Sequence, residues 1–229
     1  MHLGTRLYLV RAANSGDLEL AKYALKVGED PNLQDDYGMT ALIMASDNGH
    51  TEIVRMLLEY GADPNLKDKD SKTALIMASR FSNPRITRIL LEYGADLTTP
   101  DVNGLTALSV ASNRGNTSVV KLLLEYGGDP NSPSKRGNTV LTDASVQGFD
   151  TVGLLLEYGA DPNLPGVNGD TPLMNAIRGN HDKIVELLLN HGANPNLVTP
   201  QSDTPLRVAY GRPNRNAILS LLLKHGAVS

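Results

Sequence analysis

The chain has 229 residues, 21 basic and 25 acidic, and a net charge of -4. This mild acidity argues against nucleic acid as the main partner, since such binders carry a basic excess. There is no cysteine, which excludes disulfides, thiolate metal sites and a cysteine nucleophile. Hydrophobic residues make up 41% of the chain but aromatic ones 4%, with two Phe and no Trp, so the core is aliphatic and wholesale disorder is excluded.

The N-terminal run MHLGTRLYLVRAAN is interrupted by Arg6 and Arg11 and is too short for a secretory signal core. No stretch approaches the length of a membrane-spanning helix. Absence of cysteine fits a cytoplasmic location; the nucleus and the cytosol of a host cell fit equally.

The glycines Gly28, Gly61, Gly94, Gly127, Gly159, Gly192 and Gly226 are separated by 33, 33, 33, 32, 33 and 34 residues. Around them LLEYGADPN stands at Leu57 and Leu155, returns as LLEYGADLT at Leu90 and LLEYGGDPN at Leu123, and weakens to LLNHGANPN at Leu188 and LLKHGA at Leu222. Thr40, Thr73, Thr106, Thr139, Thr171 and Thr204 keep the same period, each opening a T-x-L-x-x-A segment. A period of this length signals a stacked repeat array without a single central core.

In chain order, the first repeat (Thr5 to Asn32) has Leu7 where later repeats have Thr. Leu20, Ala21, Ala24 and Leu25 form its apolar stripe. Lys22, Tyr23 and Lys26 give it the polar face of an N-terminal cap. The second repeat is the template. Its turn is Asp35 to Met39, with Gly38 suited to positive φ. Thr40 is the N-cap of a short helix through Ser46, which Asn48-Gly49 ends. A second helix over Thr51 to Tyr60 carries Ile53, Val54, Leu57 and Leu58 on one stripe.

In the third repeat Ser71 replaces the turn glycine and Pro84 falls in the first turn of the second helix, where proline is tolerated. The fourth repeat is regular. The fifth is one residue short and places Gly153 inside its second helix, which marks the expected softest joint. The sixth is regular. The seventh has an extra residue near Gly211 to Asn214 and keeps Ile218, Leu219, Leu222 and Leu223 on its last helix, with Leu221 partly exposed and the end poorly capped.

A turn plus two helices in 33 residues, opening on T-P-L at Thr171-Pro172-Leu173 and Thr204-Pro205-Leu206 and closing on GADPN, resembles the ankyrin repeat. Gly49-His50 before a second helix belongs to the same pattern. The resemblance spans the whole chain. It implies an all-α repeat solenoid, an ankyrin-type stack of helix-turn-helix units joined by β-turn or hairpin loops. One domain is expected, with repeats at 1–34, 35–67, 68–100, 101–133, 134–165, 166–198 and 199–229, leaving no segment over. At helix-packing spacing the seven repeats would form a curved body roughly 60–70 Å long. The family's histidine after T-x-L is replaced by Ile43, Ile76, Ser109, Thr142, Met174 and Arg207, which removes an inter-repeat polar contact.

No catalytic or metal motif is present: no H-E-x-x-H, no G-x-S-x-G, no Walker loop and no G-x-G-x-x-G. Neither an enzyme nor a cofactor site is expected. His50 and His181 occupy equivalent positions and read as structural hydrogen bonds; His2, His191 and His225 read as surface residues. The N-x-S match at Asn116 reads as chance without a secretory signal. Glu59, Glu92, Glu125 and Glu157 form a ladder, and Arg55, Arg88 and Lys121 lie four residues before the first three. Such pairs, about 0.2–0.5 kcal/mol each, make it a neutralised solvated face. The Tyr ladder beside it reads as packing at helix ends.

Resemblance to ankyrin repeats places partner contacts on the turn tips and the ends of the first helices. The candidate residues are Tyr37 and Met39 in the second repeat and Lys69, Asp70, Lys72, Arg80 and Phe81 in the third. The fourth supplies Asn103, Leu105 and Arg114, and the fifth Lys135 and Arg136. An acidic start gives way to a basic centre with apolar residues among the cations, the composition of a binding hot spot. The expected function is a non-catalytic interaction module, working as adaptor, scaffold or inhibitor. It would hold an acidic or mixed-charge protein segment in a concave groove. The alternative is nucleic-acid binding through the basic strip. No membrane association and a monomeric state are expected.

Overall fold

The computed structural model describes residues 8–132, 137–146, 148–213 and 215–228. These form two compact units, Met1–Gly128 and Asp129–Ser229. No described residue lies in a β-strand.

The first unit contains four helix pairs: α1 (Tyr8–Ser15) with α2 (Leu18–Lys26), α3 (Ala41–Asn48) with α4 (Thr51–Glu59), α5 (Ala74–Ala78) with α6 (Pro84–Glu92), and α7 (Ala107–Asn113) with α8 (Thr117–Glu125). First helices stack on first helices, α1 on α3 on α5 on α7, and second helices stack in a parallel row from α2 to α8. The second unit repeats this with α9 (Val140–Ala144) and α10 (Phe149–Glu157), α11 (Pro172–Arg178) and α12 (Asp182–Asn190), and α13 (Pro205–Tyr210) and α14 (Arg215–Lys224).

The recurring threonines start the first helices as expected. Each of Thr40, Thr73, Thr106, Thr139, Thr171 and Thr204 has extended backbone, and its hydroxyl accepts from the amide three residues on. That satisfies one of the helix's orphan donors. Where the family histidine is missing, small hydroxyls turn inward: Ser109 Oγ lies 3.2 Å from Thr106 Oγ1, and Thr142 Oγ1 lies 2.6 Å from Thr139 Oγ1. Pro84 occupies the first turn of α6.

The core is the aliphatic stripe. Leu57, Leu90, Leu123, Leu155, Leu188 and Leu222, each four residues before a repeat glycine, are fully buried. On the last helix the burial departs from expectation. Ile218 and Leu222 are buried and Leu219 and Leu221 are half-buried, while Leu223 is 61% exposed. Among the described residues α14 packs on α12 and α13, and Leu223 lies outside the face they cover.

The repeats are tied together at the ends of the second helices. Asn32 Nδ2 donates to Gly61 O at 3.2 Å while its Oδ1 accepts from the Asp63 amide at 2.7 Å. Asn65 makes the same pair of bonds to Gly94 O and the Asp96 amide, at 3.2 and 2.8 Å. In the second unit Asn131, Asn163 and Asn196 do likewise. Thr98 stands where this asparagine would be. Its hydroxyl turns back to Asp96 Oδ1 at 2.7 Å, and its amide donates to the same oxygen at 2.8 Å. The Thr98 hydroxyl and amide, with the Thr99 hydroxyl, hold the Asp96 carboxyl below the ordinary aspartate range.

The turns stack too. Asp35, Asp68 and Asp101 each accept from amides two and four residues on, which closes the loop tip. The tips are linked by Lys69 N–H to Tyr37 O at 3.0 Å and Val102 N–H to Asp70 O at 2.9 Å. Gly38 has φ 77°, and a Cβ there would come within 3.0 Å of the Lys69 nitrogen, so this contact requires glycine. Ser71, the equivalent residue one repeat on, takes φ 60° despite its side chain.

Of the three expected glutamate pairs, Lys121–Glu125 forms, at 4.0 Å. Arg55–Glu59 and Arg88–Glu92 do not close. Cations instead reach the neighbouring repeat, as Arg85 does to Glu52 at 3.3 Å. The glutamate ladder is therefore less neutralised along its own helices than spacing implies. The tyrosines beside it, Tyr60, Tyr93, Tyr126 and Tyr158, cap the second helices and remain exposed.

Two outcomes are expected. A Cβ at Gly153 would lie 3.9 Å from Leu187 Cδ2, an ordinary contact, and the residue sits inside α10. Gly153→Ala should stabilise the chain by about 1 kcal/mol in urea denaturation, the propensity difference in a helix interior; a loss of stability would mean that α10 needs the bare glycine at this position. The second concerns Asp96. Because its folded-state value is depressed, its contribution to stability is complete above the unfolded value near pH ~3.9 and is lost as pH falls through the lower folded value. Thr98→Val removes the largest cause, so the Asp96 midpoint in a carboxyl-detected NMR titration should move up toward the ordinary range.

Candidate functional site

The first unit carries a pocket of about 360 Å³ between the third and fourth repeats. Its cationic rim is Lys72, Arg80 and Arg114. Ile76, Met77, Leu105 and Val110 form its apolar wall, and Asp101 and Asn113 complete the lining. The local fold explains the convergence. Lys72 and Leu105 are the last turn residues before the Thr73 and Thr106 caps. Ile76 and Met77 lie on α5, Val110 on α7, and Arg80 and Arg114 just beyond or at the ends of those helices.

The cations differ in their bonding. Lys72 Nζ holds Asp70 Oδ2 at 2.9 Å, and that bond, opposed by partial burial, raises the lysine above its ordinary value. Arg80 Nη1 reaches Asp47 Oδ1 of the preceding repeat at 3.2 Å. The Arg80 guanidinium also sits 5.8 Å from the centre of the Phe81 ring, within cation–π range. Arg114 is exposed and has no ion-pair partner among the described residues. The Asp101 carboxylate is buried and accepts from the Asn103 and Leu105 amides at 2.8 and 2.9 Å, so its charge is turned onto its own loop.

Among the residues expected to contact a partner, the structure brings Lys72, Arg80, Leu105 and Arg114 together in this pocket. Phe81 stands next to it, 49% exposed. Tyr37, 73% exposed, belongs with Lys69, Asp70 and Asn103 to the turn tips, and Met39 is half-buried at the base of the first of these; none lines the pocket. Lys135 and Arg136 lie outside the described residues. Sequence reasoning missed Ile76, Met77 and Val110. The signal was available: Met44, Met77, Val110, Asp143 and Asn175 each follow a cap threonine by four residues, and they vary where the frame does not.

Among the described residues the expected structural hydrogen bond forms at His181 and not at His50. His181 Nε2 bonds the Val146 carbonyl of the preceding repeat. The His50 ring lies against Gly16, where a Cβ would come within 2.6 Å of its Cε1. Asn116 is 7% exposed, its Nδ2 donating to Ser79 O at 3.0 Å and its Oδ1 accepting from Ser82 Oγ at 2.6 Å, which leaves no room for a glycan. No group of side chains suited to a metal is found among the described residues. Nor is any helix among them long and apolar enough to cross a membrane.

A family model described as ankyrin repeats in three copies matches residues 9–101 and 98–166, and one for ankyrin repeats in many copies matches residues 154–209. The chain belongs to the ankyrin-repeat family, whose domains are generally protein–protein interaction modules and typically non-catalytic. Solved structures agree. The ankyrin repeat domain of Bcl-3, a member of the IkappaB protein family, is 29% identical with a TM-score of 0.83, over 94% of this chain and 97% of that one. An ankyrin repeat domain from Acinetobacter baumannii AYE is 34% identical with a TM-score of 0.78, over 82% and 99%. The human ASB11 ankyrin repeat domain is 28% identical with a TM-score of 0.82, over 96% and 99%. Among curated proteins none matches the chain significantly.

The Asp47–Arg80 pair is half-exposed, with side-chain accessibilities of 27% and 39%. A double-mutant cycle with Asp47→Asn and Arg80→Gln should give a coupling of no more than about 1 kcal/mol by urea denaturation. A coupling several times larger would mean that Asp47 locks the arginine away from any partner.

Proposed function

We propose that this chain is a non-catalytic binding module that holds a segment of another protein, acidic or mixed in charge, against the turn tips and first helices of its second to fourth repeats. The observation that carries this reading is the pocket at Lys72, Arg80 and Arg114, where cations ring an aliphatic wall beside the exposed Phe81. An apolar anchor site with arginines at its edge is the usual make-up of an interface hot spot. Such a module acts as adaptor, scaffold or competitive inhibitor according to what else its partner binds. Nucleic acid is the weaker reading, because the chain carries a net charge of -4 and an extended basic stripe is missing from the described part of the groove.

The test is an affinity pull-down from cell lysate, quantified by mass spectrometry, comparing the native chain with a variant carrying Arg80→Glu, Phe81→Ala and Arg114→Glu. Circular dichroism checks that both fold. A protein set that binds the native chain should fall away from the variant. Equal recovery by both baits would remove the groove as the working surface and move attention to the exposed tyrosine row.

A further inference from the structure

We infer that the pocket between the third and fourth repeats is a side-chain subsite for an extended acidic peptide. One aliphatic residue of the peptide (leucine, isoleucine or methionine) packs on Met77 and Leu105, and an adjacent glutamate or aspartate pairs with Arg114. The inference rests on the protein-binding reading above and specifies what the groove reads.

Size narrows the occupant first. Ligand pockets run from about 300 to 1,000 Å³, and this one, at about 360 Å³, lies at the small end. That volume has room for one or two amino-acid side chains and not for a large dinucleotide-type cofactor. Its wall is aliphatic, and the polarisable, unbranched Met77 adapts to differently branched aliphatic side chains.

Charge narrows it further. Three cations face the pocket against one carboxylate, Asp101, which is buried and occupied by its own loop amides. Asp70 and Asp47 hold Lys72 and Arg80 in place from outside the lining. Arg114 is the cation with no carboxylate among the described residues, and a guanidinium offers a carboxylate two parallel N–H donors. A partner carboxylate therefore meets a free arginine, flanked by two cations whose orientation is already set.

Selection of a random peptide library displayed on mRNA, with the full chain as bait, tests this. Enriched peptides should share an aliphatic residue next to Asp or Glu. A synthetic peptide of the enriched sequence should bind about tenfold or more weakly to Arg114→Glu, with Arg114→Gln intermediate, and comparably more weakly to Leu105→Ser. Replacing the peptide's aliphatic residue by serine should have the same effect. Enrichment of basic peptides, no enrichment, or a selected peptide indifferent to both Arg114→Glu and Leu105→Ser would overturn the subsite. So would a fluorescent oligothymidylate that binds the chain more tightly than any selected peptide. The lysate comparison separates the two levels. If lysate proteins still leave the triple variant while these substitutions change nothing, the groove stands and the subsite falls. If neither experiment responds, both fall.

Discussion

No repeat of this chain can bury its own apolar face. Two short helices present a stripe on one side, and the stripe is covered only when the next pair stacks on it. Leu57, Leu90 and Leu123 in the first unit, and Leu155, Leu188 and Leu222 in the second, are all fully buried. Burying each contributes about 1.5–3 kcal/mol, more than any single polar contact in the stack. Everything else follows from making that stacking regular. The small Ala45, Ala78 and Ala111 let first helices approach closely, and the threonine caps start each helix at the same point.

Burial is non-directional, so it does not by itself fix how one repeat sits on the next. The asparagine bridges do. Each makes one bond to a helix-end carbonyl and one to an amide two residues further on, both in the following repeat, and so sets register at two points. These contacts are exposed and individually modest, about 0.5–1.5 kcal/mol per bond. Their value lies in direction. Thr98 interrupts the series by turning its hydroxyl onto Asp96 in its own loop. A local bond there replaces one between repeats, a competition that short hydroxyl side chains enter readily.

The frame was legible in the sequence because stacking imposes it residue by residue. Thr40 and its equivalents mark helix starts, the period of Gly61 marks helix ends, and Pro84 marks a first turn, all as found. Pairing was less legible. Spacing pairs Arg55 and Arg88 with glutamates four residues on, the neighbour relation within a helix. The relation that governs this surface is a separation of 33. It joins Arg85 to Glu52, Arg80 to Asp47 and Asn175 to the Thr142 carbonyl. Applied to the candidate site, the same relation would have shown that Arg80 has a carboxylate beside it and that Met77 and Val110 are adjacent. Leu221 is partly exposed as expected, whereas the exposure of Leu223 depends on which flank of α14 its neighbours cover, which no periodicity encodes.

The paired state of Lys72 and Arg80 is compatible with a binding surface, and on energetic grounds favours one. Half-exposed ion pairs are worth little in water, because each group surrenders hydration and side-chain freedom nearly equal to the attraction gained. A partner carboxylate arriving beside Arg80 therefore has little to displace, while the side chain it meets has already lost part of its rotational freedom to Asp47 and Phe81. Ordering an arginine costs up to about 2 kcal/mol, and here some of that cost falls on folding instead of binding. Arg114 lacks such support and gains most from a partner. An acidic segment docking here would complete an ion pair at Arg114 while sharing two that exist. On the proposed reading, this division lets a chain with net negative charge present a local surface that selects for acid.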